Sequence, residues 1–198
     1  MTEWIQMTPA MVERFRTGFD RAVAAGVPEP TAMTLATLSG AGHPSGRTVL
    51  LKDMDAEGFV FYTNLESRKG RHLAVNPRVS LVFWWRELAE QIIADGRAER
   101  VSDAEADAYF ATRPRGSQIG AWASKQSTEL ASRQELEARV AHFDDKFAGG
   151  EVPRPAHWSG FRVRPFRVEF WYGRESRLHD RICFDLAGGQ WREFLLYP

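Results

Sequence analysis

Residues 78–101 read RVSLVFWWRELAEQIIADGRAERV. Two runs rich in β-branched and aromatic side chains, RVSLVFWW (78–85) and EQIIADGRAERV (90–101), flank a short break, which is the pattern of successive strands. The same period-two character extends upstream through AMTLATL (32–38), GRTVLLKDM (46–54) and FVFYT (59–63), divided by turn clusters such as SGAGHPS (39–45) and DAEG (55–58). Five strands thus arrive in close succession, with one short helical insert at SRKGRHLAVN (67–76). Three more extended runs follow the loop GGEVPRPAHWSG (149–160): FRVRPFRVEFWY (161–172), RLHDRICFDL (177–186) and QWREFLLYP (190–198). Gly188 and Gly189 join the last two in a hairpin.

Helical signals lie at the periphery. Thr8 before Pro9 marks a helix start, Val12, Phe15, Phe19, Ala22 and Val23 recur at spacings of three and four, and Gly26, Pro28 and Pro30 stop the helix. Ser102 with Glu105 and Ser132 with Glu135 have the spacing of capping boxes. Pro114 ends the first of these helices, and Leu136, Val140 and Phe143 form the apolar stripe of the second. The expectation is a mainly β, α+β chain, an antiparallel barrel with peripheral helices. Residues 1–198 form a single domain, with 1–31 as N-terminal segment and helix and 32–198 as the barrel with helical insertions.

The 198 residues are 43% hydrophobic and 12% aromatic, enough for a sizeable core. Lysine plus arginine equals aspartate plus glutamate at 26 each. No whole-molecule field therefore recruits nucleic acid or an anionic membrane, and anion recognition has to be local. One cysteine, Cys183, excludes an internal disulfide and a cysteine-based metal cage, and the histidines are scattered without ligand spacing, so no metal is expected. No secretory signal opens the chain and no run approaches the roughly 18 apolar residues of a membrane span. A soluble, cytoplasmic chain is expected.

Several clusters could carry chemistry. In GRTVLLK, Arg47 and Lys52 are five residues apart and face opposite ways on a regular strand. Acting together requires a bulge or a strand end; otherwise they are two snorkelling cations at a sheet rim. In NLESRKG, Ser67 can cap a helix whose first turn carries Arg68 and Lys69, an arrangement the helix dipole disfavours unless an anion sits among them. A solvated helix end is the plain alternative. In YFATRPRGSQIGAW, Tyr109 and Arg113 lie one helical turn apart and Ser117 follows the proline, together the donors a phosphate monoester needs. SKQS offers Gln126 and Ser127 as neutral donors and acceptors. RLHDR (177–181), read as a strand, puts Arg177, His179 and Arg181 on one face and Leu178 and Asp180 on the other. That is a row of cations for an anionic ligand, or a charged edge strand that discourages aggregation. The alternation also discounts a His179–Asp180 dyad. Neither a Walker loop nor a dinucleotide glycine fingerprint is present. The whole suits a flat phosphorylated cofactor and a phosphorylated substrate.

With GRTVLLK, GFVFYTNLESRKG, NPRVSLVFWW, QIIADGRAERVS, YFATRPRGSQIGAWASKQS, GEVPRPAHWSGFRV, EFWYG and RLHDR in order from about Ala32 to the C-terminus, the chain resembles the pyridoxine (pyridoxamine) 5'-phosphate oxidase family. The resemblance implies a split β-barrel that binds FMN at a homodimer interface. It assigns FMN to Arg47, Thr48, Val49, Leu50, Leu51 and Lys52, to Tyr62, Thr63, Arg68, Lys69 and Gln91, and to Gln126, Ser127, Trp171 and Arg181. Lys52, Tyr109, Arg113 and Ser117 resemble the group that grips the substrate phosphate, and Arg177 with His179 resembles the catalytic pair against the pyridine ring. The implied reaction oxidises pyridoxamine or pyridoxine 5'-phosphate to pyridoxal 5'-phosphate, with hydride passing to the flavin and dioxygen leaving as hydrogen peroxide. Two departures stand out: only MTEWIQM precedes the first helix, so a shortened or missing substrate lid is expected, and the chain ends LLYP where the family tends to carry an arginine. The alternatives are a related flavin oxidase of the same fold with another substrate, of the phenazine type, and a non-catalytic protein that binds FMN or pyridoxal phosphate. The intact RPRGSQIGAW segment argues against the first, and the retention of Arg177 and His179 against the second.

Overall fold

The computed structural model describes residues 4–198; Met1–Glu3, the start of the short arm, lie outside the described residues. The first helix, α1 (Pro9–Ala24), begins where Thr8 accepts the Met11 amide at 3.3 Å and turns Met11, Phe15, Gly18 and Ala22 inward. Strands β1 (Ala32–Leu38), β2 (Pro44–Leu50), β3 (Asp53–Asp55) and β4 (Gly58–Asn64) follow, then α2 (Arg68–Val75), β5 (Arg78–Trp85) and β6 (Glu90–Arg100). Next come α3 (Asp103–Thr112), α4 (Arg115–Ala123) and α5 (Arg133–Lys146), and finally β7 (Trp158–Tyr172), β8 (Asp180–Ala187) and β9 (Gln190–Leu195). Every strand pairing is antiparallel, in the order β2-β1-β5-β6-β7-β4-β3, with β8 and β9 added along β7. The mainly β, split-barrel reading is borne out.

β7 explains the split. Of its 15 residues, the stretch Phe161–Tyr172 pairs with β6 along one edge, while on the other edge Trp158–Val163 pair with β4 and Arg167–Tyr172 with β8. Proline cannot donate to a ladder, and at Pro165 the register shifts: Gly96 faces Pro165 and Asp95 faces Arg167, leaving Phe166 unmatched. That bulge bends β7 and sends its two halves to different wings of the sheet. The concave side is filled by aromatic rings, with Phe15 of α1 edge-on to Phe59 and Phe83 at 5.3 Å each. Fully buried side chains of this size contribute about 1.5–3 kcal/mol apiece, so α1 is anchored by its inner face. No helix among the described residues is long and apolar enough to cross a membrane.

The Gly188–Gly189 hairpin forms as expected, both glycines taking positive φ (58° and 79°) between Ala187 and Gln190. GRTVLLKDM is not one strand but two, because the ladder with β1 stops at Leu50 and β3 starts at Asp53. RLHDR departs further from its expectation. Tyr172 pairs with Asp180, so residues 173–179 form the connection between β7 and β8, and Ser176 and Arg177 take left-handed φ values of 56° and 60°. Arg177 and His179 therefore stand on a strained turn, and only Asp180 and Arg181 of the five lie in a strand. Pro114 does end α3, but α4 starts at once after it, a helix that its two glycines concealed.

Candidate active site

A cavity of about 440 Å³ opens where β2, β4, α2, α3 and α4 converge. It is lined by Thr48, Val49, Leu50 and Lys52, by Tyr62, Thr63 and Lys69, and by Tyr109, Arg113, Ser117 and Gln126, all read from the sequence. The strand-end condition for Arg47 and Lys52 is met, since β2 stops at Leu50 and the Lys52 amide instead donates to Val60 O at 2.8 Å. Arg47 and Arg68 do not line the cavity; Arg47 acts on the charge of Lys69, both act on His72, and Leu51 is buried in the core. Asn64, Ser124 and Trp158 line the cavity and were missed; HWSG carried an aromatic before a glycine, which was the available signal.

One group of donors gathers at the start of α2. Ser67 accepts the Gly70 amide at 3.2 Å, and Lys69 Nζ donates to Gln126 Oε1 at 2.9 Å and to Thr63 Oγ1 at 3.2 Å. A side chain at residue 70 is excluded, because a Cβ there would sit 2.0 Å from the Leu65 carbonyl oxygen. Burial first, and then Arg47, pushes the Lys69 ammonium down to about 8. Arg47 gives Nη1–H bonds to Leu35 O (2.9 Å) and Thr37 Oγ1 (2.7 Å) and an Nη2–H bond to Ser45 Oγ (2.9 Å). A guanidinium has five N–H donors; the two left, on Nε and Nη2, form the side fork that fits one phosphate or carboxylate.

A second group surrounds Arg113. Its guanidinium carbon lies 4.7 Å from the Trp158 ring centre and 5.4 Å from that of Phe110, and its buried Nη1 has no hydrogen-bond partner among the described residues. Burial lowers its pKa. The Trp158 ring continues a near-parallel stack with Tyr62 (5.2 Å) and Tyr109 (6.2 Å). Gly160, opposite Tyr62 in the ladder, permits this, since a Cβ there would come within 2.6 Å of the Tyr62 ring. Burial pushes the Tyr62 phenol up to about 12, so it stays protonated. Arg154, paired with Asp103 (3.0 Å) and Asp107 (2.5 Å), donates to Trp158 O at 2.8 Å and so fixes the stack to α3.

Arg47, Lys52, Arg68, Lys69 and Arg113 form no salt bridge with a described residue, whereas Arg154, Arg162, Arg164 and Arg181 each hold at least one. In a chain of zero net charge, the acids have been placed against other arginines. What remains in the cavity is cationic, partly desolvated and without an internal anion. These are donors that fit the phosphate of a cofactor such as FMN.

The remaining candidates lie elsewhere in the chain. Gln91, Trp171 and Trp84 line a separate shallow depression formed where β5, β6 and β7 run side by side. His179 rests against Trp171 with ring centres 4.5 Å apart, and its Nδ1 accepts the Arg174 amide at 3.0 Å, leaving Nε2 as the N–H donor. Asp180 pairs with Arg174 at 2.7 Å and not with His179. Arg177 is exposed. Arg181 is no free cation: it binds the buried Glu169 through Nε (2.7 Å) and Nη2 (3.0 Å), and its Nη1 donates to Tyr197 O. Ser127 sits on a left-handed turn (φ 69°) beside Gln126. The cavity and the tryptophan face thus share no lining residue.

Comparison with known proteins gives this arrangement its context. Residues 19–147 match the family model described as pyridoxamine 5'-phosphate oxidase, and residues 158–198 match that of the pyridoxine 5'-phosphate oxidase C-terminal dimerisation region. The chain is 56% identical over 198 residues to the pyridoxine/pyridoxamine 5'-phosphate oxidase of Myxococcus xanthus (strain DK1622), covering 100% of this chain and 96% of that one. It is 54% identical over 185 residues to the protein of the same name from Synechocystis, covering 93% and 86%. Among solved structures, PhzG from Burkholderia lata 383 in complex with tetrahydrophenazine-1-carboxylic acid superposes with a TM-score of 0.90 at 33% identity, over 94% of this chain and 92% of that chain. A pyridoxamine 5'-phosphate oxidase-related, FMN binding protein from Nostoc punctiforme shares the fold, with a TM-score of 0.75 at 13% identity over 97% and 99%. On sequence models that span both the cavity and the tryptophan face, the chain belongs to the pyridoxamine 5'-phosphate oxidase family.

Proposed function

We propose that this protein oxidises pyridoxamine 5'-phosphate or pyridoxine 5'-phosphate to pyridoxal 5'-phosphate, as a cytoplasmic homodimer in which each site joins the cavity of one chain to the tryptophan face of the other. The observation that carries the reading is one cavity holding two separate donor groups without a counter-anion, around Lys69 and around Arg113. Two phosphates, one of cofactor and one of substrate, match them. The curated relatives at 53–56% identity bear the name of this activity, and the terminal region has the family's dimerisation sequence.

On this reading Arg47, Arg68 and Lys69 hold the FMN phosphate, and Thr48–Lys52, Tyr62, Thr63, Gln126 and Ser127 hold the rest from the same chain. Gln91, Trp171 and Arg181 reach it from the other chain. FMN, when bound, supplies the acceptor for two electrons from the substrate C4' carbon and delivers them to dioxygen, which leaves as hydrogen peroxide. Lys52, Tyr109, Arg113 and Ser117 hold the substrate phosphate and so fix the height of the pyridine ring. Arg177 stabilises charge near the reacting carbon, and His179 offers its Nε2–H to the substrate, held in that tautomer by the Arg174 amide. The protein's task is orientation and electrostatics, worth several kcal/mol each in such sites.

The primary test is anaerobic mixing of the FMN-loaded protein with pyridoxamine 5'-phosphate. Flavin bleaching that air reverses, with pyridoxal 5'-phosphate appearing, is expected; flavin that stays oxidised with both the amine and the alcohol would overturn the substrate assignment. A second test addresses the shared site. Arg177→Ala retains flavin and loses about a hundredfold in turnover, as removal of a charge-stabilising donor does. Co-expressed with Arg113→Ala and assayed at substrate well below KM, where the Arg113 variant alone is nearly silent, it recovers roughly a quarter of wild-type activity, because half of random dimers are mixed and one of their two sites is intact. If both residues served the site of their own chain, mixing would restore nothing.

A further inference from the structure

His72 has no part in the roles above, yet it is 91% buried behind the cationic end of the cavity, its exposure being 9%. Its Nδ1 lies 3.0 Å from Thr37 Oγ1, and the Thr37 side chain, itself 1% exposed, accepts the Arg47 Nη1–H at 2.7 Å. A threonine hydroxyl has one proton. The carbonyl of Ser45 also accepts from it at 3.4 Å, a longer contact than the one to the imidazole, whose Nδ1 is the nearer acceptor in the Nε2–H tautomer of His72. With the proton directed to His72, a lone pair of Thr37 faces Arg47. The chain of donation then runs from Arg47 to Thr37 to His72, through α2, β1 and β2.

We propose that His72 is a positioning residue for Arg47, setting through Thr37 the orientation in which the Nε and Nη2 fork of Arg47 faces the cofactor phosphate. The inference rests on the reading of Arg47 as an FMN ligand. Arg47 has three donors engaged by protein oxygens, and Thr37 is the one of these partners whose acceptor direction depends on a further side chain. The relay requires a neutral imidazole. The groups facing His72 are Arg68 and Arg71 of its own helix, Arg47 of β2 and Thr37 of β1. Burial first, and then the guanidiniums of Arg68, Arg47 and Arg71, holds its pKa below the ordinary value and keeps the ring neutral, and the relay takes the Nε2–H tautomer, in which Nδ1 is the acceptor.

The experiment is a double-mutant cycle on the full chain, stripped of flavin and titrated back with FMN while flavin fluorescence is followed. His72→Phe is expected to weaken FMN about tenfold, the scale of one hydrogen bond to a charged group. His72→Asn, which can offer an acceptor near the Nδ1 position, is expected to remain within about threefold of wild type. Arg47→Met weakens binding more strongly, and adding His72→Phe to it changes nothing further. An unchanged affinity in His72→Phe, or the same loss with and without Arg47, would overturn the relay. An unchanged affinity in Arg47→Met would instead overturn the assignment of Arg47 to FMN, so the two failures are told apart.

Discussion

Lys69→Met is expected to weaken FMN binding by about a hundredfold at pH 7 and to abolish its dependence on alkaline pH. The ammonium is half-buried, makes its hydrogen bonds to Gln126 and Thr63, and has no described carboxylate partner. A charge-assisted bond to a phosphate in that setting is worth about 1.5–3 kcal/mol. In the flavin-free protein burial and Arg47 push the lysine down to about 8. A bound phosphate dianion stabilises the charged form and lifts that value, so binding takes up a proton above pH 8. FMN affinity in the wild type is therefore flat just below about pH 8 and falls as the pH rises beyond it, by up to about tenfold per unit. Titrations at several pH values between 7 and 9.5 check this: a wild-type affinity that does not change over the range would remove Lys69 from the phosphate site. The same shift has an opposite consequence for the empty protein. Its lysine binds fewer protons than the unfolded chain between about 8 and the ordinary value of 10.5, so thermal stability of the flavin-free form rises with pH over that window.

Arg113→Met separates binding from catalysis. With its guanidinium stacked on Trp158 and a buried Nη1 lacking any partner, the residue is set for a ligand rather than for the fold. Loss of a bidentate contact to the substrate phosphate is expected to raise KM about a hundredfold, about 3 kcal/mol, with kcat changed only a fewfold, because the same contact is made before and during the reaction. Thermal stability should be equal to wild type or higher, since an unpaired buried cation is replaced by an apolar chain of similar reach. Steady-state kinetics with melting curves decide it. A collapse in stability, or a loss in kcat alone, would assign Arg113 to the fold or to the chemistry and not to phosphate binding.

Local chemistry made much of the protein legible. Period-two runs divided by Gly and Asp turns foretold β1, β2, β4, β5 and β6, and the Gly188–Gly189 hairpin required only two residues that tolerate positive φ. Ser67, Arg68 and Lys69 were readable as a candidate anion site because two cations directly after the cap already conflict with a helix dipole. Each of these inferences depends on neighbours in sequence.

What needed the tertiary structure depends on partners far apart in sequence. RLHDR alternates like a strand, but the pairing of Tyr172 with Asp180 leaves residues 173–179 to turn the chain, so a long-range ladder overrode a local pattern. Arg181 could be counted as a cation from sequence, yet its charge is matched by Glu169 twelve residues earlier on the adjoining strand. Trp158 and the Thr37–His72 contact went unseen because stacking and buried hydrogen bonds form between elements 35 to 96 residues apart. The sequence by itself determined the strands, the cap at Ser67 and which side chains are candidates for binding an anion, since these follow from backbone propensity and charge. Only the folded sheet decided which arginines keep a charge unpaired among the described residues and which residues line the cavity or the tryptophan face, because both are set by what the ladder brings into contact.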